Sequence, residues 1–212
     1  MSRKLWLLCI LAVVAANLYS QTPVVNAKKR TAAITIDGNP NESIWEFTNN
    51  VTKTIIGTPN NTVSYAVLWD SLNLYVAVKV TDANKFNDSS NPWDDDATEI
   101  YIDADNNGGT SYGPNDRQFV KEWNGSTLWE KNNKTANVQH AWANITNGYG
   151  IEMLIPWSSI GITNPGVGFT IGFDVACDDD DNGGARESQL MWAGDGNNWQ
   201  YPQNFGDLVL VS

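Results

Sequence analysis

The chain has 212 residues, with 24 Asp and Glu against 13 Lys and Arg, a formal net charge of −11, 10 Trp and 2 Cys. A chain of this length buries enough apolar surface to fold as one domain without disulfide or metal staples. The acidic excess repels phosphate backbones and anionic headgroups, which excludes nucleic acid and simple electrostatic membrane binding and leaves cations and neutral ligands as partners.

In chain order, Arg3 and Lys4 precede the apolar run Leu5 to Ala16, and Asn17 to Ser20 close the segment. This is the layout of a secretory signal peptide cut near Ser20/Gln21, with an apolar run shorter than the ~20 residues a bilayer span needs. The reading predicts a protein secreted to the extracellular space or periplasm, with a signal peptide over 1–20 and one domain over 21–212. Removing that segment takes two of the 13 basic residues and no acidic one, so the net charge becomes −13. It also takes Cys9, leaving Cys177 without an intrachain partner inside the apolar stretch Phe169 to Cys177, where it reads as a buried core thiol.

Alternation with period 2 dominates the rest, as in Leu74, Val76, Val78 and Val80 against Tyr75, Ala77, Lys79 and Thr81. Strands are predicted at Ala32 to Ile36, Val51 to Ile56, Val63 to Trp69, Leu74 to Thr81, Thr98 to Asp103, Gln118 to Trp123, Val138 to Ile145, Tyr149 to Ile155, Phe169 to Cys177 and Asp207 to Val211. Gly, Asn, Asp and Pro clusters separate them and mark turns. Two one-turn helices are predicted: Asn41 to Glu46, with Asn41 as N-cap, and Trp157 to Ile160 after Pro156. The fold class is therefore all-β, an antiparallel β-sandwich of two sheets of jelly-roll type, with one or two single-turn helices.

For chemistry, paired carboxylates raise glycoside hydrolysis first, with Glu99 and Glu152 as the strand-borne candidates. Glu152 alternates with Ile151 and Met153, which predicts an outward, solvated side chain. His140 is the sole His, so a Ser-His-Asp triad and a catalytic zinc site lack material. Calcium is well supplied, because Asp-rich turns offer the oxygens a hard cation takes. Three loops are candidates: Asp37/Asn39/Glu42, Asp103/Asp105, and Asp178 to Asp181 with Asp179 and Asp181 as ligands. Trp45, Trp69 and Trp157 have apolar neighbours and read as packing residues. Trp93, in Ser90 to Asp96, and Trp199, in Gly196 to Gln200, lie in polar loops, and exposed loop aromatics suggest a binding face. An indole face suits a pyranose ring, whose axial C–H groups form an apolar patch.

In order along the chain, Ile36, Asp37 and Gly38 with Glu42 and Trp45, then Val67 to Asp70, Leu74 to Val76, Trp93 to Asp96, Glu99 to Asp103, and Asp116 with Gln118 form a distinctive set. Gly148, Tyr149, Glu152, Ile155 to Trp157, Gly172 to Asp174, Asp178, Asp179, Trp199, Pro202 and Phe205 to Leu208 continue it. The chain resembles the family 9 carbohydrate-binding modules, found as appendages on secreted xylanases, over about residues 34 to 211. The resemblance implies a β-sandwich with structural calcium and a slot in which Trp93 and Trp199 clamp a sugar. Glu99 would accept hydrogen bonds from its hydroxyls, and Asn197 corresponds to the family's Asn before the second Trp. Two departures stand out. The family's Arg after the Gln is Val120 here, so that Arg117 or Lys121 substitutes only by turning inward, and a family Gln is Ala176.

Together these readings predict a secreted, non-catalytic module that binds a neutral glycan of the xylan or cellulose type. It would act as a monomer and support polysaccharide breakdown beside a separate secreted glycoside hydrolase. The alternatives are a structural or adhesion sandwich that has lost sugar binding, as Val120 and Ala176 allow, and a hydrolase using Glu99 with an Asp of the 94–96 run.

Overall fold

The computed structural model describes residues 22–212, and the expected signal peptide lies outside them. Thirteen strands are β1 (Val24–Lys29), β2 (Asn49–Val51), β3 (Lys53–Ile56), β4 (Thr62–Trp69), β5 (Asn73–Thr81), β6 (Ala97–Asp103), β7 (Arg117–Glu122), β8 (Trp129–Glu130), β9 (Gln139–Ile145), β10 (Gly148–Pro156), β11 (Thr170–Asp179), β12 (Ser188–Met191) and β13 (Gly206–Val211). A 3₁₀ turn, Trp157–Ile160, follows β10 and closes on Gly161, whose φ of 72° gives the left-handed cap.

The strands curl into a sandwich-like half-barrel, in the hydrogen-bonded order β8-β7-β6-β11-β13-β1-β4-β5-β10-β9. β2 flanks β4, and β12 joins β11 to β3. Pairing is antiparallel except at β1, which runs parallel to both β13 and β4 and so ties the two layers into one continuous sheet. β1 is absent from the strands predicted above, because only Val25 and Ala27 of its six side chains are buried.

Between the layers the predicted alternation does its work. Val63, Tyr65, Val67, Leu74, Val76, Val78, Val80, Ile100, Ile102, Ile151, Met153, Phe173 and Val175 share one buried core. Each large apolar side chain of this kind contributes about 1.5 to 3 kcal/mol on burial. Trp69 and Trp157 join this core and Trp45 a second one, as expected. Each indole N–H is satisfied, Trp69 by Val211 O at 2.8 Å, Trp157 by Asp70 O at 2.8 Å and Trp45 by Glu42 at 3.1 Å. Cys177 is a free, fully buried thiol.

The segment 32–47 departs from expectation twice. Ala32 to Ile36 is not a strand, and Asn41 to Glu46 is a turn at Ser43–Ile44 and not a helix. Ile34, Ile36, Ile44, Trp45 and Phe47 instead pack over Ala66, Leu68, Tyr75 and Ala77 on the outer face of β4 and β5. The alternation is thus satisfied by packing flat on a sheet, without edge pairing.

This cover also corrects the reading of Glu152. It is fully buried, not solvated, because the 37–38 turn lies over it and the Asp37 and Gly38 N–H groups donate to its carboxylate at 3.1 and 2.9 Å. Burial pushes its pKa up to about 7. Only glycine fits at 38, where φ is +85° and a Cβ would stand 2.1 Å from the Trp142 carbonyl carbon.

Candidate functional site

A cleft of about 690 Å³ opens where β6, β7, β8 and β12 meet the loops 86–96 and 193–199, and Trp93, Trp129, Trp199, Glu99, Gln118 and Gln189 are among its walls. Trp199 is 53% exposed, which places a large indole at the cleft surface with no core to join. Trp93 is half-buried, and Trp129 stands edge-on to it with ring centroids 5.1 Å apart at 77°. Lys131 reaches the other indole, donating to Trp199 O at 2.6 Å with its ammonium 5.4 Å from the ring centroid. A second cleft of about 700 Å³, lined by Asn39, Asn50, Ser64, Lys79 and Asn144, has no aromatic wall.

The floor is polar and densely hydrogen-bonded. Glu99 accepts from Tyr101 Oη and Gln118 Nε2 at 2.7 Å each on one oxygen, and from Gln189 Nε2 at 3.0 Å on the other. Arg186 Nη1 donates to Asp178 at 2.6 Å and lies 3.5 Å from Glu99, while Gln189 Nε2 also reaches Asp178 at 2.9 Å. Burial drives the Asp178 carboxyl well above the usual carboxylate range, Glu99 adds to that, and Arg186 opposes it.

The loop carrying Trp199 is anchored from below by Asp174. This buried carboxylate accepts from the Ala193 N–H at 2.9 Å, the Gly194 N–H at 2.5 Å and Asn198 Nδ2 at 2.7 Å. Burial raises its pKa to about 6 against those donors.

Of the residues named from sequence, Trp93, Trp199 and Glu99 meet in this one cleft, with Glu99 beneath its surface. Asn197 lies outside it. Its N–H donates to Asp195 and its carbonyl accepts from Gln200, while the neighbouring Asn198 lines the wall. Lys121 turns away, donating to the Gly125 and Thr127 carbonyls, and burial lowers its pKa to about 8. Arg117 is also turned away, held by Pro114, Asp116 and Ser159 carbonyls. Val120 and Ala176 are buried and sit opposite Glu99 on β7 and β11. Sequence reasoning missed Trp129, Lys131, Arg186 and Gln189, which come from a two-residue strand, a four-residue strand and their flanks.

Among the described residues, carboxylates gather in three triads, each with oxygens within 4.8 Å of one another: Asp82/Asp96/Asp179, Asp88/Asp95/Asp180 and Asp103/Asp105/Asp116. Asp103, Asp105 and Asp179 were named from sequence and fall into them. Asp181 does not, since its carboxylate takes Asn60 at 2.5 Å and Asn84 at 3.1 Å, and the run supplies Asp180 beside Asp179 instead. Asp37, Asn39 and Glu42 form no triad. Asp37 caps the Asn39 N–H, and Glu42 takes the Thr35 N–H and the Trp45 indole. Buried oxygens of Asp82, Asp95, Asp96, Asp179 and Asp180 have no hydrogen-bond partner. Burial, with Asp82 and Asp179 beside it, pushes Asp96 up to about 9. Orphaned, crowded carboxylate oxygens of this kind fit a hard divalent cation, and these triads could hold metal ions. Of the 94–96 carboxylates, Asp94 accepts from Asn91 Nδ2 at 2.9 Å and the other two belong to the triads. Asp95 and Asp96 face the triads, where Asp95 takes the Asp88 and Ser89 N–H groups and Asp96 that of Phe86.

An aromatic-walled cleft over an amide and carboxylate floor, set on a rigid β-sandwich, defines a carbohydrate-binding class of domain. The chain belongs to the carbohydrate family 9 binding domain-like family, whose model matches residues 36–212. Exoglucanase XynX of Acetivibrio thermocellus is 30% identical over 203 residues, covering 94% of this chain and 17% of its own length. Endo-1,4-beta-xylanase A of Thermotoga neapolitana is 34% identical over 193 residues, covering 89% of this chain and 18% of its own length. The chain therefore spans less than a fifth of the curated enzymes it matches. A family 9 carbohydrate-binding module from Caldicellulosiruptor kristjanssonii, solved with cellotriose, superposes with a TM-score of 0.81 at 22% identity, covering 90% of this chain and 94% of that one. The same organism's module solved with glucose gives 0.80 at 22% identity, covering 89% and 95%. These last two likenesses are of fold. Among the described residues no helix is long and apolar enough to cross a membrane.

Proposed function

We propose that this protein is a secreted, non-catalytic module that stacks a neutral sugar of the xylan or cellulose type between Trp93 and Trp199, above the floor organised by Glu99. The observation that carries this reading is the convergence of those three side chains on one cleft. The family 9 modules solved with cellotriose and glucose, and the xylanases among the relatives, support the ligand class. Calcium in the three carboxylate triads rigidifies the loops, the monomer is the working unit, and the domain supports polysaccharide breakdown beside a separate secreted hydrolase. Two stacked indoles at about 1 to 1.5 kcal/mol each, with hydrogen bonds near 1 kcal/mol, leave roughly micromolar to millimolar affinity after the cost of association.

Affinity electrophoresis on soluble xylan and retention on cellulose test the reading. Trp93→Ala and Trp199→Ala should each abolish retention with an unchanged far-UV spectrum, and the parent should release no reducing sugar. Full retention by both variants would sink the clamp.

A further inference from the structure

Four Asn-Gly peptides occur in the sequence, at Asn107-Gly108, Asn124-Gly125, Asn147-Gly148 and Asn182-Gly183. An Asn before Gly is chemically labile, because the next backbone nitrogen, unhindered by a Cβ, reaches the carbon of the side-chain amide. Attack requires that nitrogen's N–H to be free of a strong hydrogen bond and the Asn side chain to be free to swing over it.

The fold separates the four on both counts. The Gly108 N–H donates to Asp103 at 2.9 Å and the Gly183 N–H to Asp180 at 2.7 Å, each a charge-assisted bond to a carboxylate. The Asn182 side chain is itself held by Glu187. Gly148 opens β10, buried in the ladder between Ile145 of β9 and Thr81 of β5. At Asn124-Gly125 the Gly N–H has the Glu122 carbonyl at 3.4 Å, beyond the ordinary N–H···O range. Asn124 is exposed, stands at a left-handed φ of 55°, and its side chain makes no hydrogen bond among the described residues.

The turn around Asn124 also houses a buried charge. Lys121 is 1% exposed, and its ammonium donates to the Gly125 and Thr127 carbonyls. Displacing the Gly125 carbonyl would strip that cation of an acceptor.

We infer that Asn124 is a self-modifying site, which converts to aspartate and isoaspartate in the folded protein and thereby loosens the turn that houses Lys121. The Gly125 nitrogen gives its proton to hydroxide and bonds to Asn124 Cγ, and the side-chain nitrogen leaves as ammonia, closing a succinimide. Water then adds to one ring carbonyl. Opening at Cγ leaves aspartate, whereas opening at the backbone carbonyl leaves isoaspartate, in which an extra methylene lies in the main chain before Gly125.

Ageing the folded protein in mildly alkaline buffer with calcium present, followed by peptide mapping and an enzymatic isoaspartate assay, tests this on the parent and Asn124→Gly. Asn124 should convert roughly tenfold faster than any of the other three, the scale of a lost charge-assisted hydrogen bond. In denaturant, where sequence alone decides, the four should react at similar rates. Asn124→Gly keeps the left-handed turn and has no amide to lose. It should hold its melting temperature through ageing, while that of the parent falls as isoaspartate accumulates. A folded protein in which Asn124 reacts no faster than Asn107, Asn147 and Asn182 would overturn the assignment, and a preference that survives denaturant would overturn its structural cause. A parent melting temperature that holds while Asn124 converts would overturn the link to Lys121.

Discussion

Trp129 meets Trp93 edge to face at 5.1 Å, and two residues further on Lys131 holds the backbone carbonyl of Trp199 at 2.6 Å. The short strand β8 and the residue that follows it therefore brace both indoles of the cleft. An edge-to-face aromatic pair is worth about 0.5 to 1.5 kcal/mol beyond its buried area. Trp129→Ala should weaken xylan retention by up to roughly tenfold while lowering the melting temperature only slightly. Affinity electrophoresis beside a thermal melt checks this, and unchanged retention would remove β8 from the site.

Chelation should loosen the same cleft from its other side. Trp93 is three residues from Asp96, and Arg186 six from Asp180, so two carboxylate triads lie at the roots of the loops that carry them. Stripping divalent cations with EDTA should lower the melting temperature and reduce glycan retention, and excess calcium should restore both. Asp96→Asn should blunt the response to added calcium. A melting temperature indifferent to EDTA would argue against metal in the triads.

Glu152 predicts a pH signature away from the cleft. Its pKa rises on folding from 4.5 to about 7, so the folded state favours the protonated form. This contribution is fully present below the unfolded pKa and is lost as pH rises through the folded one, so stability should decline between about pH 4.5 and pH 7. Glu152→Gln has no titratable group there. Denaturant unfolding at constant calcium should show a flatter stability profile over that window, and an unchanged slope would count against the buried carboxyl.

Much of the fold was legible because the core strands β4, β5 and β10 alternate cleanly and their turns are rich in Gly, Asn and Asp. The clamp candidates were legible for a related reason: an indole set among Asn, Asp and Gly has no apolar neighbours to pack against in sequence. Arg186 and Gln189 were hidden because all four side chains of β12 are buried, which erases the alternation, and the Asp-rich loop before it reads as a metal loop. The triads were hidden in part because Asp82, Asp96 and Asp179 come from three separate stretches of chain, and only the fold brings them together. Ile34 and Ile36 misled by showing the right period for the wrong reason, covering a sheet face where edge pairing was expected.

The parallel pairing of β1 with β13 sets Val24 opposite Asp207 and Lys28 opposite Val211. Tension applied between Val24 and Val211 would draw these two strands lengthwise past each other, so that every hydrogen bond of the ladder is stressed at once and none is peeled open first. A domain tethered at those points would meet a pull as a shear joint, the geometry that withstands drag on a particle or a cell held to an insoluble fibre.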